Sequence, residues 1–214
     1  MTRFCPPWLL LAVLAGCSGA PAGYERVRAI VNPRGRPVAV IPFSCKKPKA
    51  FTADDALMLA EFTARDIRRA LPNETIHGPT AMRDALKTTP DESRWTEIGR
   101  ETGAQLLLVG DILLFDIVDD TDLGSRQAFV DIRFRVLDVS VFPPKTIVKE
   151  SSWYLTFPEE PEDRTGKRYV SMDLSAFRTE FLRYAAKRLG GIFYDHLEKK
   201  LPVNQLQIRW RVED

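Results

Sequence analysis

The sequence predicts an α/β (α+β) domain, a mixed or antiparallel sheet with helices packed on it. Three observations carry this. Val38-Ala39-Val40-Ile41-Pro42-Phe43 is a short β-branched apolar run, the mark of a buried strand, and a helical pattern follows it. Ala128, Val130, Ile132, Phe134 and Val136 alternate with Phe129, Asp131, Arg133, Arg135 and Leu137, the period of a half-buried antiparallel strand. Phe177, Phe181, Tyr184, Ala185 and Leu189 recur at helical spacing behind Asp173, which can cap the helix.

The chain opens differently. Arg3 precedes the apolar run Trp8 to Leu14, which ends in small residues and Cys17. A basic start, an apolar middle and a small-residue cleavage site are the parts of a secretory signal. The run is shorter than the about 20 residues a membrane-spanning helix needs. Leu14-Ala15-Gly16-Cys17 resembles the lipobox of bacterial lipoproteins. That resemblance implies cleavage before Cys17, a diacylglycerol on its thiol and stable membrane anchoring through two or three acyl chains. An ordinary secretory signal with an incidental cysteine, or a buried N-terminal helix, is the alternative. The expected organisation is a signal peptide over 1–16, a flexible tether over 17–36 and one globular domain over 37–214.

Within that domain, Thr52 and Asp55 form a capping-box pattern ahead of Leu57, Ala60, Ala64, Ile67 and Leu71, one apolar helix face. Pro72-Asn73 stops the helix. Glu74 to His77 reads as an edge strand, and Ala81 to Leu86 as a small helix. Thr89, Pro90 and Glu92 start a third helix that Gly103 ends, with Trp95 and Ile98 facing inward. Leu106 to Phe115 reads as a central strand continuing into an exposed arm. Asp119 to Ser125 is a polar turn, and Thr146 to Phe157 is a strand carrying Trp153 and Tyr154, completing a meander of three long strands. Pro158 to Arg168 reads as a charged loop. The last long helix continues past Gly190-Gly191 through Leu197, and Leu206, Ile208, Trp210 and Val212 alternate in a terminal strand.

Charge excludes one class of function. Lys plus Arg total 31 against 29 for Asp plus Glu, so no strong field attracts nucleic acid. With Cys5 in the signal and Cys17 lipidated, Cys45 is the lone thiol, best read as a half-buried small residue. Catalytic chemistry finds no support either: His77 and His196 stand on different elements, and no Gly-x-Ser-x-Gly elbow or phosphate loop occurs. No Cys/His cluster has metal-ligand spacing, and Asp119, Asp120 and Asp122 suit a turn better than a calcium loop. No catalytic residue, metal or cofactor is implied.

The Val38–Phe43 strand, the Ile98-Gly99-Arg100-Glu101-Thr102-Gly103-Ala104 helix end running into Leu107-Leu108-Val109-Gly110-Asp111-Ile112, and Arg135-Val136-Leu137-Asp138 together resemble one domain group. It is the α/β domain of the N-terminal part of TolB, of the curli secretion lipoprotein CsgG, of the penicillin-binding-protein activator LpoB and of the exopolysaccharide lipoprotein PelC. The resemblance covers about residues 37 to 157. It implies a non-enzymatic binding or assembly component of a cell-envelope, secretion or polysaccharide-export system, with envelope protein partners and homo-oligomers. Ser18 after the cysteine fits outer-membrane sorting in those systems, with the domain in the periplasm. A periplasmic hydrolase and a small-ligand or peptidoglycan-binding module are the alternatives. The candidate partner-binding residues are Trp153 and Tyr154 on an exposed strand and Arg209, Trp210 and Arg211 in the tail, because aromatic and Arg side chains dominate interfaces.

Overall fold

A computed structural model describes residues 23–45, 50–86, 92–120, 125–159 and 167–199. The signal region, Cys17, Thr89-Pro90, most of the charged loop and the tail with Arg209, Trp210 and Arg211 lie outside them.

One mixed sheet organises the domain, in the order β4 (Ile76–His77), β2 (Val38–Val40), β5 (Leu106–Asp120), β6 (Ser125–Asp138) and β7 (Lys145–Phe157). β2 runs parallel to both β4 and β5, and β3 (Ser44–Cys45) continues parallel pairing along β5 at Asp111 and Ile112. β5, β6 and β7 are the expected antiparallel meander, with register shifts between Ile112 and Leu114 and around Val136.

Two helices cover one face of this sheet. α1 (Ala53–Ala70) begins with the expected capping box: the Asp55 N–H donates to the Thr52 hydroxyl at 3.2 Å, and the Thr52 N–H donates to the Asp55 carboxylate at 2.6 Å. Asp54 and Asp55 in its first turn and Arg68 and Arg69 in its last complement the helix dipole. Its buried face is Ala56, Leu59, Ala60, Thr63, Ala64 and Ile67, whereas Leu57, expected inside, is 46% exposed. A one-turn helix, α3 (Lys167–Val170), follows α2 (Trp95–Thr102) and the meander. Then α4 (Leu174–Gly190) starts at Asp173, whose carboxylate accepts from the Ser175 and Ala176 N–H groups. Phe177, Phe181, Leu182 and Ala185 of α4 pack with Leu59 and Ile67 of α1 on Leu108, Ile132 and Phe134 of the sheet.

Among the described residues, cover on the opposite sheet face lies at one end. There Trp95 and Ile98 of α2 and Met82 pack on Ala39, Ile41, Leu107, Val109 and Leu137. Gly103, at φ 71, closes α2 in the left-handed conformation that favours glycine. A Cβ on Gly110 would lie 2.8 Å from the Phe43 ring and against the Arg133 carbonyl, so glycine is what admits this close packing. The small helix expected at Ala81–Leu86 is a 3₁₀ turn, Pro79–Met82, led by its proline.

Three boundaries differ from the sequence reading. The last helix does not continue to Leu197: a 3₁₀ turn, Gly191–Phe193, sends Ile192 and Phe193 into the core, and β8 (His196–Lys199) follows. β8 pairs antiparallel with β1 (Tyr24–Val27), inside the stretch expected as tether, and Val31 is buried in the main core. The N–H groups of Ile30 and Val31 both donate to the Ile192 carbonyl, at 2.8 and 2.9 Å. Ordered backbone therefore begins well ahead of residue 37, because its partner strand lies at the other end of the chain. Asp119 and Asp120, expected in a turn, are the last residues of β5.

Candidate functional site

The long meander presents a stretch of sheet face on which no described helix packs. Beyond the reach of α2, Leu114, Asp116 and Val118 of β5, Phe129 and Asp131 of β6 and Tyr154 of β7 share one face, as their cross-strand registers require. Leu114 and Val118 are exposed, and Tyr154 stacks on Phe129 with ring centroids 6.2 Å apart. Polar contacts hold the rows in place. Ser152 donates to Asp131 at 2.7 Å, and the Arg133 guanidinium pairs with Glu150 at 2.7 Å. No helix among the described residues packs on this part of the sheet.

Trp153 and Tyr154, expected together on an exposed strand, are both half-buried and point to opposite faces. Trp153 lies on the helix-covered side and meets Phe134 edge-on, with centroids 4.6 Å apart. Of the two, Tyr154 is on the face where no described helix packs. Arg209, Trp210, Arg211 and Cys17 lie outside the described residues, so their placement is undescribed. Cys45 ends β3 half-buried and packed against the main core.

A charged cluster that the sequence did not signal joins the small sheet to the helices. Arg188 of α4, its side chain 15% exposed, pairs with Glu159 at 2.6 Å and with Glu198 of β8. His196 Nε2 lies 2.8 Å from the same Glu198, and the Tyr194 hydroxyl donates to Asp66 of α1. Burial opposes ionisation of Glu198, but the hydrogen bonds from Arg188 and His196 outweigh it and hold the carboxyl below its ordinary range. Burial does win at Asp66, whose carboxyl is pushed up despite the Tyr194 hydroxyl. A cleft of about 260 Å³ opens beside the cluster, lined by Tyr24, Glu159, Tyr184, Lys187 and Lys199 among others. Arg188 is neutralised inside the cluster, so its chemistry is that of a clamp fixing β8 against α4. His77 stands on β4, in the other sheet from His196. Among the described residues, no group of three or more His, Cys, Asp or Glu is placed to hold a metal ion.

Arg126 is a second buried clamp. It makes a two-pronged pair with Asp119 at 2.9 and 2.7 Å, donates to the carbonyls of Tyr169 and Met172, and lies over the Phe177 ring. It fastens the far end of the meander to the segment leading into α4.

No family model matches the chain, and no curated protein matches it. Among solved structures it is similar to a PelC dodecamer from Paraburkholderia phytofirmans, at 13% identity and a TM-score of 0.45 over 78% of this chain and 96% of that one. It is also similar to a lipoprotein from Neisseria meningitidis, at 14% identity and 0.43 over 68% and 97%. The LpoB C-terminal domain from Salmonella enterica stands at 16% and 0.34 over 61% and 84%. No helix among the described residues is long and apolar enough to cross a membrane.

Proposed function

We propose that this chain is an outer-membrane-anchored lipoprotein whose domain lies in the periplasm and acts as a non-enzymatic binding and assembly component of a cell-envelope, secretion or polysaccharide-export system. Two features support the reading. The Leu14-Ala15-Gly16-Cys17 run supplies the anchor through Cys17. The observation that carries the binding role is the meander face with Leu114, Val118, Phe129 and Tyr154, on which no helix among the described residues packs. Its partners are envelope proteins or further copies of the chain.

The test uses the full chain in its native envelope. A photo-crosslinking residue at Tyr154 is expected to give discrete protein adducts, and the same residue at exposed Leu57 on α1 is not. Equal labelling from both positions, or from neither, rejects the docking face. Cys17→Ala is expected to abolish incorporation of labelled palmitate and release the protein from the membrane fraction. Persistent membrane retention without palmitate rejects the anchor.

A further inference from the structure

The small β1–β8 sheet is the part of the folded domain nearest in sequence to Cys17. Tyr24, the first residue of β1, stands seven residues after that cysteine. Seven residues span at most about 25 Å whatever their path, against about 70 Å for the stretch from Cys17 to residue 37. The sheet is also fixed to the domain. The Ala29 N–H donates to the Asp195 carboxylate at 2.9 Å, the Ile30 and Val31 N–H groups donate to the Ile192 carbonyl, and Arg188 of α4 holds Glu198.

The two faces of this sheet differ in chemistry. On the inner one, His196 lies against Gly191, where a Cβ would come within 2.6 Å of the ring, and Glu198 meets Arg188. The register sets Tyr24 opposite Lys199 and Arg26 opposite Leu197, so these four alternate to the other side. All four are exposed, Tyr24 at 44% and Leu197 at 49%. Arg26 shares an open ion pair with Asp195 at 3.4 Å, and Tyr24, Leu197 and Lys199 also border the cleft beside Arg188. Exposed Arg28 and Ile30 follow in the chain. A tyrosine, an aliphatic side chain and cations on one small face suit a membrane–water interface. There the amphipathic ring sits at headgroup level, and Lys and Arg are drawn to anionic lipid.

We propose that the face made by Tyr24, Arg26, Leu197 and Lys199 rests on the anionic headgroups of the membrane that holds the anchor. The inference rests on the Cys17 anchor of the proposed function, which supplies a nearness that so few cations alone do not.

Lipid photo-crosslinking tests it. The full chain, purified from cells fed labelled palmitate and carrying a photo-crosslinking residue at Leu197, is reconstituted in phosphatidylglycerol–phosphatidylcholine vesicles. Lipid adducts, read by mass, are expected at least about fivefold above those from the same residue at Val118 on the meander face, and at least about fivefold above those from Leu197 in phosphatidylcholine alone, the factor that one Lys or Arg near an anionic surface supplies. Equal yields at Leu197 and Val118, equal yields in the two vesicles, or adducts to a second copy of the chain overturn the proposal. So do protein adducts in place of lipid when Leu197 is probed in whole envelopes. Palmitate separates the two failures. A labelled chain without lipid adducts at Leu197 refutes this face and leaves the anchor standing, whereas an unlabelled chain refutes the anchor and the proposal with it.

Discussion

Removing the Arg178 guanidinium is the sharpest perturbation the helix layer offers. Asp55 is 2% exposed at the start of α1, and Arg178 of α4 meets its carboxylate with both Nε, at 2.7 Å, and a terminal nitrogen. The same guanidinium donates to the Ala50 carbonyl at 2.6 Å and lies 4.9 Å above the Phe115 ring. Arg178→Met leaves a buried carboxylate without its cation. Such breaks cost about 3–5 kcal/mol, and the 28% exposure of the Arg178 side chain, which lets water reach the site, points to about 3 kcal/mol. Asp55→Asn in the same background removes the stranded charge, so the double variant recovers part of that loss, with a coupling of about 2 kcal/mol. The pH dependence weakens. Burial opposes ionisation of Asp55 in the parent, but the Arg178 and Thr52 hydrogen bonds outweigh it and hold the carboxyl below 3.8. Its stabilisation is therefore complete above the unfolded value and lost as pH falls through the folded one. In Arg178→Met the Thr52 hydrogen bonds still oppose burial but the Arg178 contribution is gone, so the carboxyl rises relative to the parent and less stability is lost on acidification. Urea unfolding of both proteins from pH 3 to 7 reads this. An Arg178→Met midpoint within about 0.5 kcal/mol of the parent at pH 7, or an acid-side pH slope as steep as the parent's, refutes the reasoning.

Three further outcomes are expected. Gly110→Val drives side-chain atoms into the Phe43 ring and the Arg133 carbonyl, a backbone group that cannot yield, so thermal unfolding is expected to show a loss of about 3 kcal/mol or more. Asp66→Asn keeps an acceptor for the Tyr194 hydroxyl and removes a carboxyl whose folded value is raised above 3.8. Its ionisation weakens the parent as pH rises through that range, so the variant is expected to melt above the parent at pH 7 and level with it well below pH 3.8. Tyr154→Lys forfeits the stack on Phe129, worth about 1 kcal/mol at a half-open site. Chemical denaturation is expected to show no larger loss, while co-purification of envelope partners disappears.

What was legible in the sequence is what local chemistry determines. The Thr52–Asp55 capping box, the Asp173 cap, the Gly103 stop and the alternation of β6 each need only a few neighbouring residues, and each stands where expected. The β1–β8 sheet does not, because Tyr24 meets Lys199 from the opposite end of the chain and neither strand is long enough to show a period. The arginines show the same blindness. Nothing in the sequence marks Arg126, Arg178 or Arg188, yet each is bound to a carboxylate or carbonyl that only tertiary folding brings near. The sequence offers Trp153 and Tyr154 alike as partner-binding candidates, and only the register separates them onto two faces. Leu57 was misplaced because a spacing of three or four fits two overlapping helix faces, and the packing of α4 on α1 selects the one with Ala56 and Leu59.

The same arginines explain how the sheet face on which no described helix packs is held rigid. An interface formed on a mobile hairpin would lose ordering entropy each time it bound. Here the core face of the meander is filled by Phe115, Val130, Ile132 and Phe157 against α4, which fixes the arm along its length. Arg126 then ties its far end to the Tyr169 and Met172 carbonyls, where a two-stranded ribbon would otherwise fray. The row of Leu114, Phe129 and Tyr154 is therefore held in place before any partner arrives. Its exposure follows from the short α2, which is eight residues long and covers only the Leu107–Val109 end of the strand.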